Sequence, residues 1–97
     1  MRTIPSGNYG ASMDERKLLA RLARGEVANV AFGDLCGMAE KLGFELRRVS
    51  GSHHVFAHTE IPELVNLQSV RGRAKPYQVR QLMRLVERYD LRLEDRP

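Results

Sequence analysis

Apolar positions recur with a helical period in three stretches, and a shorter, strand-like rhythm fills the space between the second and third. Leu18, Leu19 and Leu22 fall at i, i+1 and i+4. They predict a helix over Met13 to Arg24, with Ser12 as its cap, Glu15 completing a capping box and Gly25 as terminator. Leu35, Met38, Ala39 and Leu42 lie at i, i+3, i+4 and i+7 and predict a second helix from Asp34 to Leu42, stopped by Gly43. Gly37 weakens it by about 1 kcal/mol relative to alanine. Val79, Leu82, Met83 and Val86 repeat that spacing and Tyr89 extends it, so a last helix starts near Pro76, a residue suited to a first helical turn. Between these helices, Phe44 to Val49, Ser52 to His58 and Leu64 to Gln68 have strand composition. Ser50-Gly51 and Glu60-Ile61-Pro62-Glu63 separate them as turns, and close spacing makes an antiparallel meander the simplest arrangement. Glu26 to Ala31 is a connector and Ser69 to Lys75 a basic loop.

An antiparallel sheet cannot leave its apolar face in water, so the helices should cover one side and leave the other open to a ligand. The expected fold is α+β. It is an αβββα domain of the double-stranded-RNA-binding-like layout, a three-stranded antiparallel sheet covered by helices on one face, preceded by an extra N-terminal helix. Residues 1–12, with Pro5, Ser6, Gly7, Asn8 and Gly10, read as a flexible leader. Residues 13–97 read as a single domain, with the extra helix over 13–25 and the αβββα core over 32–91.

Composition narrows the function classes. With 97 residues the chain has room for one small core and none for a separate cofactor domain. The net charge of +4 suits a polyanionic partner, nucleic acid or an acidic protein, although a merely soluble surface can be as basic. The single cysteine, Cys36, excludes an internal disulfide and sits in an apolar stripe, where a buried structural thiol is expected. The start lacks a signal-peptide h-region and no apolar run is long enough to cross a membrane, so a cytoplasmic protein is expected.

All three histidines, His53, His54 and His58, fall within six positions. Imidazole titrates near neutral pH and can take and return a proton without a metal. Cleaving RNA through its own 2′-hydroxyl needs that chemistry: a base for the hydroxyl, an acid for the leaving oxygen and a cation for the charge on phosphorus. Strand alternation puts His54, Phe56 and His58 on one face and His53, Val55 and Ala57 on the other. If Phe56 points to the core, His53 stands on the open face; a bulge near Gly51 would reverse this. A zinc site is disfavoured, because a four-residue offset does not bring His54 and His58 together on a strand and no carboxylate or cysteine lies at a ligand-like offset. No cofactor is called for. From Arg71 to Arg88 six basic residues (Arg71, Arg73, Lys75, Arg80, Arg84 and Arg88) face one acid, Glu87. Arg80, Arg84 and Arg88 form a ridge that can track a phosphate backbone or simply be a solvated helix face. Tyr77 and Gln78 can contact a base, or cap and pack.

Leu42-Gly43-Phe44 followed by Arg48-Val49-Ser50-Gly51-Ser52-His53-His54-Val55-Phe56 resembles the HicA toxin family. Leu64-Val65-Asn66-Leu67-Gln68, followed by Lys75-Pro76-Tyr77-Gln78-Val79-Arg80-Gln81-Leu82, is similar to a longer branch of that family. The resemblance covers about Phe32 to Leu91. It implies a ribonuclease that cleaves messenger RNA, halts translation and is silenced by a HicB antitoxin. The family's histidine falls on His53, with His54 as second candidate. Gly51 and Ser52 would set the turn and bring amides near a phosphate, with Arg71, Arg73, Lys75, Arg80 and Arg84 on the RNA. The first helix has no counterpart in typical, shorter members, and the last-helix start departs from their lysine-rich form. A non-catalytic RNA-binding module on the same surface, and a protein-binding partner without either activity, remain the alternatives. The residues leave oligomeric state open.

Overall fold

The computed structural model describes residues 14–94, and the expected leader, Ser12, Met13 and the last three residues lie outside that range. The first helix, α1 (Glu15–Ala23), is capped by Asp14, whose carboxylate accepts the Arg16 N–H at 2.8 Å. It buries Leu18 and Leu22. The following connector is pinned by the Arg21 guanidinium, which donates to the Ala28 carbonyl, and it buries Val27 and Val30.

The second helix, α2 (Phe32–Lys41), begins two residues before the expected Asp34. The Phe32 N–H bonds the Gly72 carbonyl at 2.9 Å, so the strand region opposite fixes where the helix starts. It ends as expected at Gly43. There φ is +99°, and the Gly43 and Phe44 amides bond the Glu40 and Ala39 carbonyls, each at 3.0 Å. That pair of bonds is a Schellman close and needs a residue that tolerates positive φ. The last helix, α3 (Pro76–Arg88), opens on Pro76 and buries Gln78, Val79, Leu82, Leu85 and Val86.

The sheet is antiparallel in the order β1 (Glu45–Ser50), β2 (His53–His58), β3 (Ile61–Val70) and β4 (Arg73–Ala74). Two expectations need correction here. The turn between β2 and β3 is Thr59-Glu60 alone, because Ile61 is buried and pairs with His58. Between the pairs Phe56–Val65 and His58–Ile61, β3 holds more residues than β2. Pro62 lies in that stretch and has no N–H for the ladder. The basic loop also contains a strand: Arg71-Gly72 turns the chain so that Val70 pairs with Arg73 and Ser69 with Ala74. Arg71 takes a φ of +53°, as a two-residue hairpin turn requires. The sheet thus has four strands where the sequence pattern showed three, within the expected α+β, double-stranded-RNA-binding-like arrangement of helices on one face. Phe56, Val65 and Leu67 of the sheet join the apolar faces of all three helices in one core cluster. The stretch entering α2 closes the β4 edge through the Ala31–Arg73 bridge and the Ala74 N–H to Val30 carbonyl bond of 2.9 Å.

Candidate active site

The turn from β1 to β2 fixes the histidines. Ser50 pairs with His53, which leaves Gly51-Ser52 as a two-residue turn with φ of +59° at Gly51. No bulge intervenes, so alternation along β2 holds from its first residue. Phe56 is fully buried and pairs with Val65, and His54 pairs with Leu67 on the same, helix-covered face. His53 pairs with Gln68 and Val55 with Asn66 on the helix-free face.

The three imidazoles are in three different environments. His53 is half-buried, and its Nδ1 lies 3.2 Å from Asn66 Oδ1. His54 packs edge-on against Phe32, ring centroids 4.9 Å apart, and its Nδ1 is buried without a hydrogen-bond partner. Burial holds its pKa below the ordinary histidine value, opposed in part by the nearby Ser52 backbone. Both nitrogens of His58 are engaged: Nδ1 accepts the Glu60 N–H at 3.1 Å, so Nε2 carries the proton and donates to the Leu42 carbonyl at 3.2 Å. Its ring stands edge-on to Phe44 at 5.1 Å. His58 therefore ties the β2 end to the α2 terminus.

Arg48 and Arg73 share the helix-free face with His53, since Arg48 pairs with Val55 and Arg73 with Val70. Both hairpin turns, Gly51-Ser52 and Arg71-Gly72, lie at the same end of the sheet, because the start of β2 runs beside the end of β3. The Ser69 N–H bonds the Ser52 carbonyl at 3.1 Å and Gln68 Nε2 donates to Ser52 Oγ at 3.4 Å, joining the two turns. Beside them Arg71, Arg73 and Lys75 line a hollow of about 650 Å³ with Asn29, Val70 and Pro76. Sequence and structure thus bring His53, Gly51, Ser52, Arg71, Arg73 and Lys75 to one end of the molecule.

Arg80 and Arg84 are elsewhere. They are exposed on α3 in the helix layer, beside a groove of about 540 Å³ between α1 and α3 floored by Leu19, Leu22, Met83, Val86 and Leu91. Arg88, the third member of that ridge, lies 3.7 Å from Glu63, which also accepts the Tyr89 hydroxyl at 2.9 Å. Tyr77 is exposed, whereas Gln78 is buried and its Oε1 accepts the Gln68 N–H at 2.7 Å. Gln78 therefore completes the sheet ladder. Cys36 is fully buried, and burial, with Glu40 nearby, pushes its thiol up to about 12, which leaves no thiolate for nucleophilic work.

Asn66 is the neighbour of His53 that sequence analysis did not single out. Its signal is the cross-strand position diagonal to His53, set by the Thr59-Glu60 turn together with the extra residues that β3 holds between Ile61 and Val65, which shift the β2–β3 register. Among the described residues no three of His, Cys, Asp and Glu cluster as a metal site would require, and no helix is long and apolar enough to cross a membrane.

No curated protein and no solved structure matches the chain. A family model described as the HicA toxin of bacterial toxin–antitoxin systems matches residues 32–87. The matched stretch runs from the start of α2 almost to the end of α3, takes in the whole sheet and leaves α1 outside. It spans more than half of the 97 residues and includes the Gly51-Ser52-His53-His54 turn, so the chain belongs to the HicA toxin family and is the toxin of a toxin–antitoxin pair.

Proposed function

We propose that this toxin is a metal-independent endoribonuclease that cleaves messenger RNA in the cytoplasm, halts translation and is silenced by a HicB-like antitoxin. The observation that carries the proposal is the sorting of the histidines. His53 alone of the three stands on the helix-free face, while His54 is packed on Phe32 and His58 is held at both nitrogens. On that face His53 serves as the base for the RNA 2′-hydroxyl. The 2′-oxygen then attacks phosphorus, the bond to the 5′-oxygen breaks, and the leaving oxygen takes a proton. The products are a 2′,3′-cyclic phosphate and a 5′-hydroxyl. Arg73 and Arg48 share the face and offset the charge on the phosphate, with Arg71 and Lys75 at the adjoining turn guiding the backbone toward the Gly51-Ser52 amides. His54 supports the strand from below. Arg80 and Arg84, in the helix layer, meet only RNA that wraps past the sheet edge.

The test is induction of the wild type, His53→Ala and His54→Phe in a bacterial host, followed by growth and reporter-message integrity, with cleavage of purified RNA in a chelator alongside. Loss of a general base lowers the rate by about 10²–10⁴-fold. His53→Ala should therefore spare both growth and message, and His54→Phe should remain toxic. A folded His53→Ala protein that still fragments the message overturns the proposal. A wild type that binds RNA without cleaving it replaces the proposal with a non-catalytic RNA-binding module.

A further inference from the structure

We infer that Asn66 is a positioning residue for His53, fixing the proton on Nδ1 and leaving Nε2 as the ring nitrogen that meets substrate. An amide oxygen can only accept a hydrogen bond, so Asn66 Oδ1 at 3.2 Å from Nδ1 requires the proton there. A free histidine side chain favours the opposite tautomer, with the proton on Nε2, so a partner is needed to reverse it. Asn66 is placed to do this by the ladder. It pairs with Val55, next but one to His53, on the same face of the sheet. Gln68, directly opposite His53, is committed elsewhere: its side-chain amide donates to Ser52 Oγ and its backbone N–H to Gln78 Oε1. The bond to Ser52 Oγ and that from the Ser69 N–H to the Ser52 carbonyl hold β3 against the Ser52 turn, while Gln78 ties β3 to α3, so the spacing between His53 and Asn66 is set by backbone register.

The chemical consequence rests on the ribonuclease reading above. A ring protonated at Nδ1 presents the Nε2 lone pair to the 2′-hydroxyl. Nε2 takes that proton, the 2′-oxygen bonds to phosphorus, and the bond from phosphorus to the 5′-oxygen breaks. The same Nε2–H then returns its proton to the 5′-oxygen, so one ring closes the proton balance. The Asn66 carbonyl oxygen, accepting the Nδ1–H bond, stabilises the positive charge on the intermediate imidazolium. With the opposite tautomer Nε2 carries a proton and cannot act as the base.

The experiment uses the full chain labelled with 15N and records two-bond ring correlations of the histidines in the wild type, Asn66→Ala and Asn66→Asp, all assigned through a His53→Ala reference. Cleavage of a short RNA is measured on the same samples, with affinity taken from its 2′-deoxy analogue. The expected result is His53 protonated at Nδ1 in the wild type and Asn66→Asp, and at Nε2 in Asn66→Ala. Asn66→Ala should lose about 10–100-fold in kcat, part of the general-base contribution, with affinity unchanged. Asn66→Asp should recover most of that loss and move the acid limb of the pH–rate profile upward, because its carboxylate favours the imidazolium. Asn66 is exposed, so these variants keep the core intact. A wild-type His53 protonated at Nε2 overturns the inference whatever the cleavage assay shows. The expected tautomers together with full activity of Asn66→Ala overturn the functional role. Expected tautomers with an active His53→Ala protein overturn the ribonuclease reading of His53 and with it the role of Asn66, leaving only the hydrogen bond.

Discussion

Gly43 gives a quantitative check on how the α2 terminus and the end of β2 are joined. An alanine Cβ there would lie 2.7 Å from His58 Nε2 and 3.2 Å from its Cδ2, with φ of +99°. An L side chain in the left-handed region costs about 1–2 kcal/mol. The clash adds to this, because the ring cannot swing aside freely: it is held by the Leu42 carbonyl, the Glu60 N–H and the Phe44 ring. Losing one such hydrogen bond costs about 1 kcal/mol. Gly43→Ala should therefore destabilise the fold by about 2–3 kcal/mol, which for a chain of this size lowers Tm by about 8 °C or more. Urea unfolding followed by circular dichroism measures it. The deciding comparison is the same substitution in a His58→Ala background. With the ring gone only the backbone term remains, and the cost should fall to about 1–2 kcal/mol. A cost equal in both backgrounds to within about 0.5 kcal/mol, the usual limit of additivity, refutes the contact as the cause.

Two further outcomes follow from buried groups. The His54 pKa is lowered in the fold, so below pH about 6.5 the unfolded chain binds a proton that the native ring refuses. Stability is then complete above that value and falls as pH drops through the window down to the folded pKa. Thermal unfolding from pH 7.5 to 5 should show the decline, and His54→Phe should make it shallower; an unchanged slope counts against His54 as its source. Cys36, with its thiol pushed up to about 12, should resist a thiol reagent at pH 8 in the native state and react only as fast as the core opens. Immediate stoichiometric labelling of native protein would contradict this burial.

The parts of the fold that could be read from sequence are those where one local signal decides the geometry. The apolar spacing of Val79, Leu82 and Val86 required a helix, Pro76 supplied its start, and Gly43 supplied the end of α2. The face of His53 was readable because Gly51-Ser52 holds two residues and β2 begins without a bulge. What escaped depends on partners far along the chain. Arg73-Ala74 is too short for any periodicity, and it becomes a strand only because Arg71 adopts positive φ and the Val30 to Phe32 stretch bonds its other side. Pro62 reads as a turn residue, yet Ile61 beside it is buried and carries β3 back to pair with His58. Gln78 has the appearance of a base contact until the unpaired N–H of Gln68 is found to need it.

Adjacent histidines in a Gly-Ser-His-His turn invite reading as an acid–base pair, and the strand geometry argues against it. Successive side chains leave a strand on opposite faces, so the sheet itself separates the His53 and His54 rings. His54 is further disqualified as a proton donor by its surroundings. A ring whose Nδ1 is buried without a partner, against Phe32, disfavours the imidazolium that an acid must supply at neutral pH. His58 is excluded on separate grounds, since both its nitrogens already hold the β2 end to backbone groups. Any second proton carrier for chemistry at His53 must therefore come from the helix-free face. The titratable groups placed there by register are cationic, Arg48 and Arg73, with Glu45 at the far end of β1, and an arginine holds its proton too tightly to give it up. Lys75 also lies at that end, beside the Arg71-Gly72 turn, and His53 itself is the imidazole there, a group suited both to take a proton and to return it. One imidazole that takes a proton and gives it back needs its two nitrogens made inequivalent, and the Asn66 carbonyl on Nδ1 is the group on that face that does so.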